Sequence, residues 1–157
     1  MGEIANSLGF NLTASGRKAL SNLEALSSLS IEVGFHEGQI ADDGKTPLAA
    51  IAYWNHFGTV SEDGSVAIPA RPFMDALNTH ESDLGAFCQM AVKSAEDASA
   101  AANDIGVKSV GMIQQEIVDG NWTPNAPSTI AKKGSDHPLI DTGLMRQSVH
   151  YVVKKGE

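Results

Sequence analysis

The chain has 157 residues, 42% hydrophobic and 19% charged, which suits one folded domain (1–157) with a real core. Its formal net charge of −8, from 11 basic and 19 acidic side chains, speaks against a protein held on nucleic acid by phosphate contacts, though it suits a wall past which DNA slides. The single cysteine, Cys88, excludes an intrachain disulfide and a cysteine-rich zinc site. Residues 1–10 lack the marks of a secretory leader, and no run reaches the ~18 apolar residues of a membrane span, so assembly in a cytoplasm is expected.

Residues 12–29 read as a helix, because Leu12, Ala19, Leu20, Leu23, Leu26 and Leu29 recur at three- and four-residue steps; Asn11 or Thr13 is the candidate cap. The period then changes to two over residues 30–36. Ile31, Val33 and Phe35 share one face of a strand, and Glu32, Gly34 and His36 share the other. Residues 37–45 are polar turn material with Gly38, Asp43 and Gly44. Residues 46–58 carry helix punctuation: Thr46 as N-cap, Pro47 at the first helical position and Gly58 as a left-handed stop. Leu48, Ile51, Ala52, Trp54 and Phe57 are expected to be buried on its wide apolar face.

Residues 59–65 form a loop with Glu62, Asp63 and Gly64. A short edge strand follows at residues 66–68 and ends at Pro69, and Pro72 opens a helix bearing Phe73, Met74, Ala76 and Leu77. Residues 81–119 are alanine-rich and helical, with a near-heptad series of Leu84, Cys88, Ala91, Ala95, Ala98, Ala102, Ile105 and Met112. Unbroken, residues 83–119 would span roughly 55 Å. A bend near residues 98–106 is an equal expectation, and Gly120 is the natural stop. Residues 121–137 form a long surface loop, with one helical turn at 129–133. A brief helix over 141–148 and a strand alternating Val149, Tyr151 and Val153 close the chain. The elements describe an α+β fold: a small antiparallel sheet of three to four strands packed by helices, with one long alanine-rich helix or a bent pair.

Candidate chemistry is sparse. Asp141-Thr142-Gly143 matches the triplet at the active site of aspartic proteases, which share a proton between two such aspartates. Those enzymes are almost wholly β, and here Leu144-Met145-Arg146 follows, so Asp141 or Thr142 as a helix cap with Gly143 easing the turn is the preferred reading. His36, His56, His80, His137 and His150 show no paired-ligand spacing and read as polar surface residues. Cys88 reads as a buried structural thiol. Trp54, Phe57 and Phe73 read as core rather than as a stacking platform, and Lys132–Lys133 as a solvated pair. No catalytic set, cofactor motif or metal motif emerges.

Three ordered stretches carry a resemblance. They are Val33-Gly34-Phe35 followed by Ile51-Ala52-Tyr53-Trp54-Asn55-His56-Phe57-Gly58-Thr59; then Ile68-Pro69-Ala70-Arg71-Pro72-Phe73-Met74; then Pro138-Leu139-Ile140-Asp141-Thr142-Gly143-Leu144-Met145-Arg146-Gln147-Ser148-Val149. In order and spacing, over residues 31–153, they resemble the tail-completion, or head–tail joining, proteins of long-tailed bacteriophages and prophages. The resemblance implies a non-enzymatic virion subunit without cofactor or metal. Such subunits form hexameric or dodecameric rings between the portal–connector and the tail terminator or tube. DNA passes through the ring without sequence-specific binding, and no membrane is involved.

On this reading Trp54, Phe57, Gly58, Arg71, Pro72, Phe73, Asp141, Thr142, Gly143 and Met145 are motif and candidate interface residues. Lys132 and Lys133 mark a candidate assembly loop. Arg71, held on a stiff backbone between the two prolines Pro69 and Pro72, is expected to pair with a carboxylate within the domain or across a subunit boundary. A tail terminator or other minor tail protein is the alternative, and a protease built on Asp141 the more distant one.

Overall fold

A capped start and a leucine-rich period form the first helix, α1 (Ala14–Leu26). The Thr13 hydroxyl accepts the Gly16 N–H at 3.1 Å, which selects Thr13 as the cap. The computed structural model describes residues 12–156; the leader expectation for residues 1–10 and the alternative cap Asn11 lie outside them. The helix stops three residues short of Leu29, which enters the strand β1 (Leu29–Gly34). There Leu29, Ile31 and Val33 are half-buried while Ser30 and Glu32 are exposed, the alternation expected of a strand with one covered face.

The remaining elements are α2 (Leu48–Phe57), β2 (Thr59–Val60), β3 (Val66–Ile68), a 3₁₀ turn (Phe73–Asp75), α3 (Ala76–Thr79), α4 (Glu81–Ser94), α5 (Ala98–Asp119), α6 (Pro127–Lys133), α7 (Leu144–Gln147) and β4 (His150–Lys155). This is the expected α+β class. The strands pair two by two, β1 with β4 and β2 antiparallel with β3. No helix among the described residues is long and apolar enough to cross a membrane.

Two compact units emerge. The first gathers residues 12–32, 81–108 and 151–156. Its helices approach through small side chains, with Ala91, Ala95, Ala98, Ala101 and Ala102 buried. Asn22 of α1 is also buried, and its amide donates to the carbonyls of Val92 (3.1 Å) and Ala95 (3.3 Å). Those oxygens belong to the open end of α4, which needs partners from outside the helix. Each such bond contributes about 1 kcal/mol, and orphaning a buried carbonyl costs more.

The helical run breaks at residues 95–97, just before the expected bend, because Asp97 caps α5 by accepting the Ala100 N–H at 2.8 Å. At Gly106 a Cβ would lie 2.2 Å from the Tyr151 ring, so only glycine admits that ring. The Tyr151 hydroxyl then donates to Asn103 Oδ1 at 3.1 Å.

The second unit gathers residues 33–80 and 109–150. Its core is Ala52, Phe73, Ala76, Ile113, Ile117, Met145 and Val149, with Val33, Phe35, Trp122, Leu139 and Ile140 packed around it. Two helix starts differ from expectation. At α2 the side chain of Thr46 makes no cap; its hydroxyl donates to Asp43 Oδ2 at 2.5 Å instead, and Pro47 takes the cap position. Asp43 outcompetes the helix end because the N–H groups of Lys45 (2.9 Å) and Thr46 (2.8 Å) converge on its Oδ1. At α7 Gly143 holds the cap position in the left-handed conformation, φ 82°. Asp141 makes no cap, and Thr142 Oγ1 accepts only the Leu144 N–H at 3.3 Å.

The Thr46 hydroxyl, then the Thr46 and Lys45 N–H groups, hold the Asp43 carboxyl below its ordinary pKa. A folded pKa below the unfolded one means the turn's contribution is present above the unfolded value and is lost as pH falls through the lowered one. Carboxyl titration followed by NMR is expected to place Asp43 below the unperturbed aspartates, and Thr46→Val to return it towards them. An Asp43 that titrates normally in the unmutated protein would contradict the turn geometry.

Candidate assembly surface

The three recognised stretches all fall in the second unit, where they meet in one core. Ala52 comes from the first, Phe73 from the second, and Met145 and Val149 from the third. Phe73 is fully buried, with edge-to-face contacts to Phe35 (6.3 Å between ring centroids) and His56 (5.9 Å). The expectation that Phe73 belongs to the core therefore holds, while Met145, named among the candidate interface residues, is interior as well.

Arg71 is the polar counterpart of that core. It is only 3% exposed. Its Nε and Nη2 both donate to Thr123 O, at 3.1 and 3.0 Å; Nη2 also reaches Asn125 Oδ1 at 3.1 Å and Nη1 reaches Asn55 Oδ1 at 3.3 Å. The expected carboxylate is not there: among the described residues its partners are neutral oxygens. The reason lies in the backbone. The Arg71 N–H donates to Asn55 O at 2.8 Å, which fixes the side chain against α2 and the start of the 121–137 segment. Burial lowers the guanidinium pKa from its ordinary value, yet arginine stays charged in proteins. Pro72 sets the next turn, where the Phe73 N–H closes on Arg71 O at 2.8 Å.

Residues 121–137 are correspondingly better anchored than an open loop. Trp122 packs against the core and donates its indole N–H to Glu116 O at 3.2 Å. The helical turn expected at 129–133 begins two residues earlier, as α6, with Pro127 at its start and Gly134 in the left-handed stop position. Lys132 and Lys133 end that helix, where positive charge meets the carbonyl end of the dipole. Lys133 Nζ donates to His137 O at 2.9 Å.

A cleft of about 500 Å³ opens between α6 and the Asp141–Thr142–Gly143 turn; Asp42, Asp43, Asn55, Lys132 and Lys133 line it with the triplet. In it the Thr142 hydroxyl donates to Asp42 Oδ2 at 2.8 Å. The triplet thus ties one turn to another and launches α7. Among the described residues no group of three or more His, Cys, Asp or Glu side chains is placed to hold a metal ion.

Other expectations are corrected. Trp54 and Phe57, read as core, are 42% and 62% exposed. Helix α2 has apolar residues all round, so burial of Leu48 and Ala52 turns its aromatic side outward. Gly58 ends α2 with φ 76° and ψ 174°, a region open to glycine rather than the left-handed well, and a Cβ there would meet Ile68 O at 2.8 Å.

Two histidines are not surface residues. His36 stacks on His150 at 3.9 Å, and His36 Nε2 and His56 Nδ1 are buried without a hydrogen bond. Gln39 clamps the stacked pair, accepting the His36 N–H at 2.9 Å and donating to Ser148 O at 2.8 Å. The period-two pattern that put His36 opposite Phe35 gave no sign of this partner. Cys88 is half-buried, and burial raises its thiol pKa.

This site belongs to an α+β protein whose recognised residues divide between a shared core and an exposed aromatic surface. Comparison with protein families, with curated proteins and with solved structures finds no match.

Proposed function

We propose that the chain is a structural subunit of the neck or upper tail of a long-tailed bacteriophage. In this role it forms a hexameric or dodecameric ring that joins the head connector to the tail terminator or tube and surrounds the DNA channel, in the virion and, during assembly, in the host cytoplasm. The reading rests on the resemblance of the three ordered stretches. The observation that carries it further is their meeting in one core through Ala52, Phe73, Met145 and Val149. The net charge of −8 suits a channel wall that DNA passes without adhering.

Nothing in the geometry of Asp141 favours the protease reading, since the triplet forms a turn that opens a helix. Electron microscopy of particles made without the protein separates the remaining roles. Filled heads beside finished tails of uniform length are the expected result. Tails of irregular length would favour a terminator, and intact infectious particles would overturn both.

A further inference from the structure

The end of α2 and the β2–β3 hairpin carry an apolar surface left open by the described residues. Tyr53, Trp54 and Phe57 are 61%, 42% and 62% exposed, and Val60 and Val66 are 70% and 69% exposed. Val60 and Val66 are cross-strand partners, so they lie side by side on one face of the hairpin. Beside them a groove of about 330 Å³ runs from Phe57 to Ala70 over Gly58 and Ile68. Aromatic side chains carry about 150–250 Å² each, so the patch exposes on the order of 500 Å² of apolar area. That approaches the upper range for a monomer's largest patch, and it would form the centre of an interface burying about 800 Å² per partner.

Along the stretch of chain that carries the patch, the exposed full charges have one sign. Between Lys45 and Lys93 the only lysine or arginine is Arg71, which is buried. Glu62 and Asp63 stand exposed at the hairpin tip, and Asp75 stands exposed 3.8 Å from His56. A second copy seated face to face would bring these acidic rims together, which disfavours it. We infer that this surface docks a different protein, through an extended segment that sets apolar side chains into the groove and lysines or arginines against Glu62, Asp63 and Asp75. The apolar contacts supply the affinity, and the basic flanks select the partner and its orientation. This inference stands on the patch and its rim, independently of the neck assignment.

Three synthetic ten-residue peptides test it against the full chain at low salt, by calorimetry and by NMR shifts at the hairpin. One alternates valine with lysine, one valine with glutamate, and one serine with lysine. The valine–lysine peptide is expected to bind at least tenfold tighter than either of the others. Val60→Ser with Val66→Ser is expected to weaken it tenfold or more; both residues are exposed, so the fold is retained. Glu62→Lys is expected to narrow the preference over the valine–glutamate peptide several-fold. Equal binding of the serine–lysine peptide would reduce the effect to net charge and overturn the inference, as would the absence of binding at millimolar peptide. A chain mass that doubles with concentration, and does so only with the valines intact, would assign the patch to a second copy and also overturn it.

Discussion

Replacing Arg71 with alanine is expected to destabilise the second unit by about 3–5 kcal/mol. The side chain is buried, and its guanidinium is the shared donor for Thr123 O, Asn125 Oδ1 and Asn55 Oδ1. Removing it orphans those oxygens and leaves a void between α2 and the 121–125 segment. Lysine keeps the charge but not the planar fork, so Arg71→Lys is expected to recover only part of the loss. Both tryptophans, Trp54 and Trp122, lie in this unit, so urea unfolding followed by their fluorescence reads it directly. Residues 121–137 lose their tether in the same variant, and trypsin cleavage after Lys132 and Lys133 is expected to accelerate. A variant that unfolds at the unmutated midpoint and resists trypsin equally would contradict the role assigned to Arg71.

Phe73→Ala is expected to cost a similar 3–5 kcal/mol, for a different reason. Its ring is fully enclosed at the meeting point of the three stretches, so truncation loses transfer energy and leaves a cavity. The edge-to-face contacts with Phe35 and His56 go with it. Because His56 Nδ1 is already buried without a partner, water drawn into the cavity gives it one, and the loss is expected at the lower end of the range. Phe73→Leu refills most of the volume and is expected to restore most of the stability. The same urea titration measures both, and an unchanged midpoint for Phe73→Ala would contradict the shared core.

The period of the apolar residues made the local elements legible. The step from three-and-four to two at Leu29 marks where α1 yields to β1, and Pro72 and Gly120 punctuate as expected. What was not legible depended on competition between distant or neighbouring groups. Thr46 reads as a cap until Asp43, three residues earlier, takes its hydroxyl. Trp54 and Phe57 read as core because a helix apolar on every side does not say which side is covered.

The stiff setting of Arg71 is legible in the sequence, but its partners, neutral oxygens rather than a carboxylate, are not. The carbonyl of Thr123 lies 52 residues away, and no local pattern points to it. The His36–His150 stack was hidden for the same reason. In the candidate cleft, the Asp141 triplet and the Lys132–Lys133 pair are each visible in the sequence alone, and only the fold brings them to the same cleft.

The mass of the purified chain in solution, measured alone and again with a bacteriophage connector protein, tests the proposed neck role most directly. The expected result is assembly into a hexameric or dodecameric ring, at the latest when the connector is present. A chain that stays monomeric in both conditions and binds neither connector nor tail protein would contradict it.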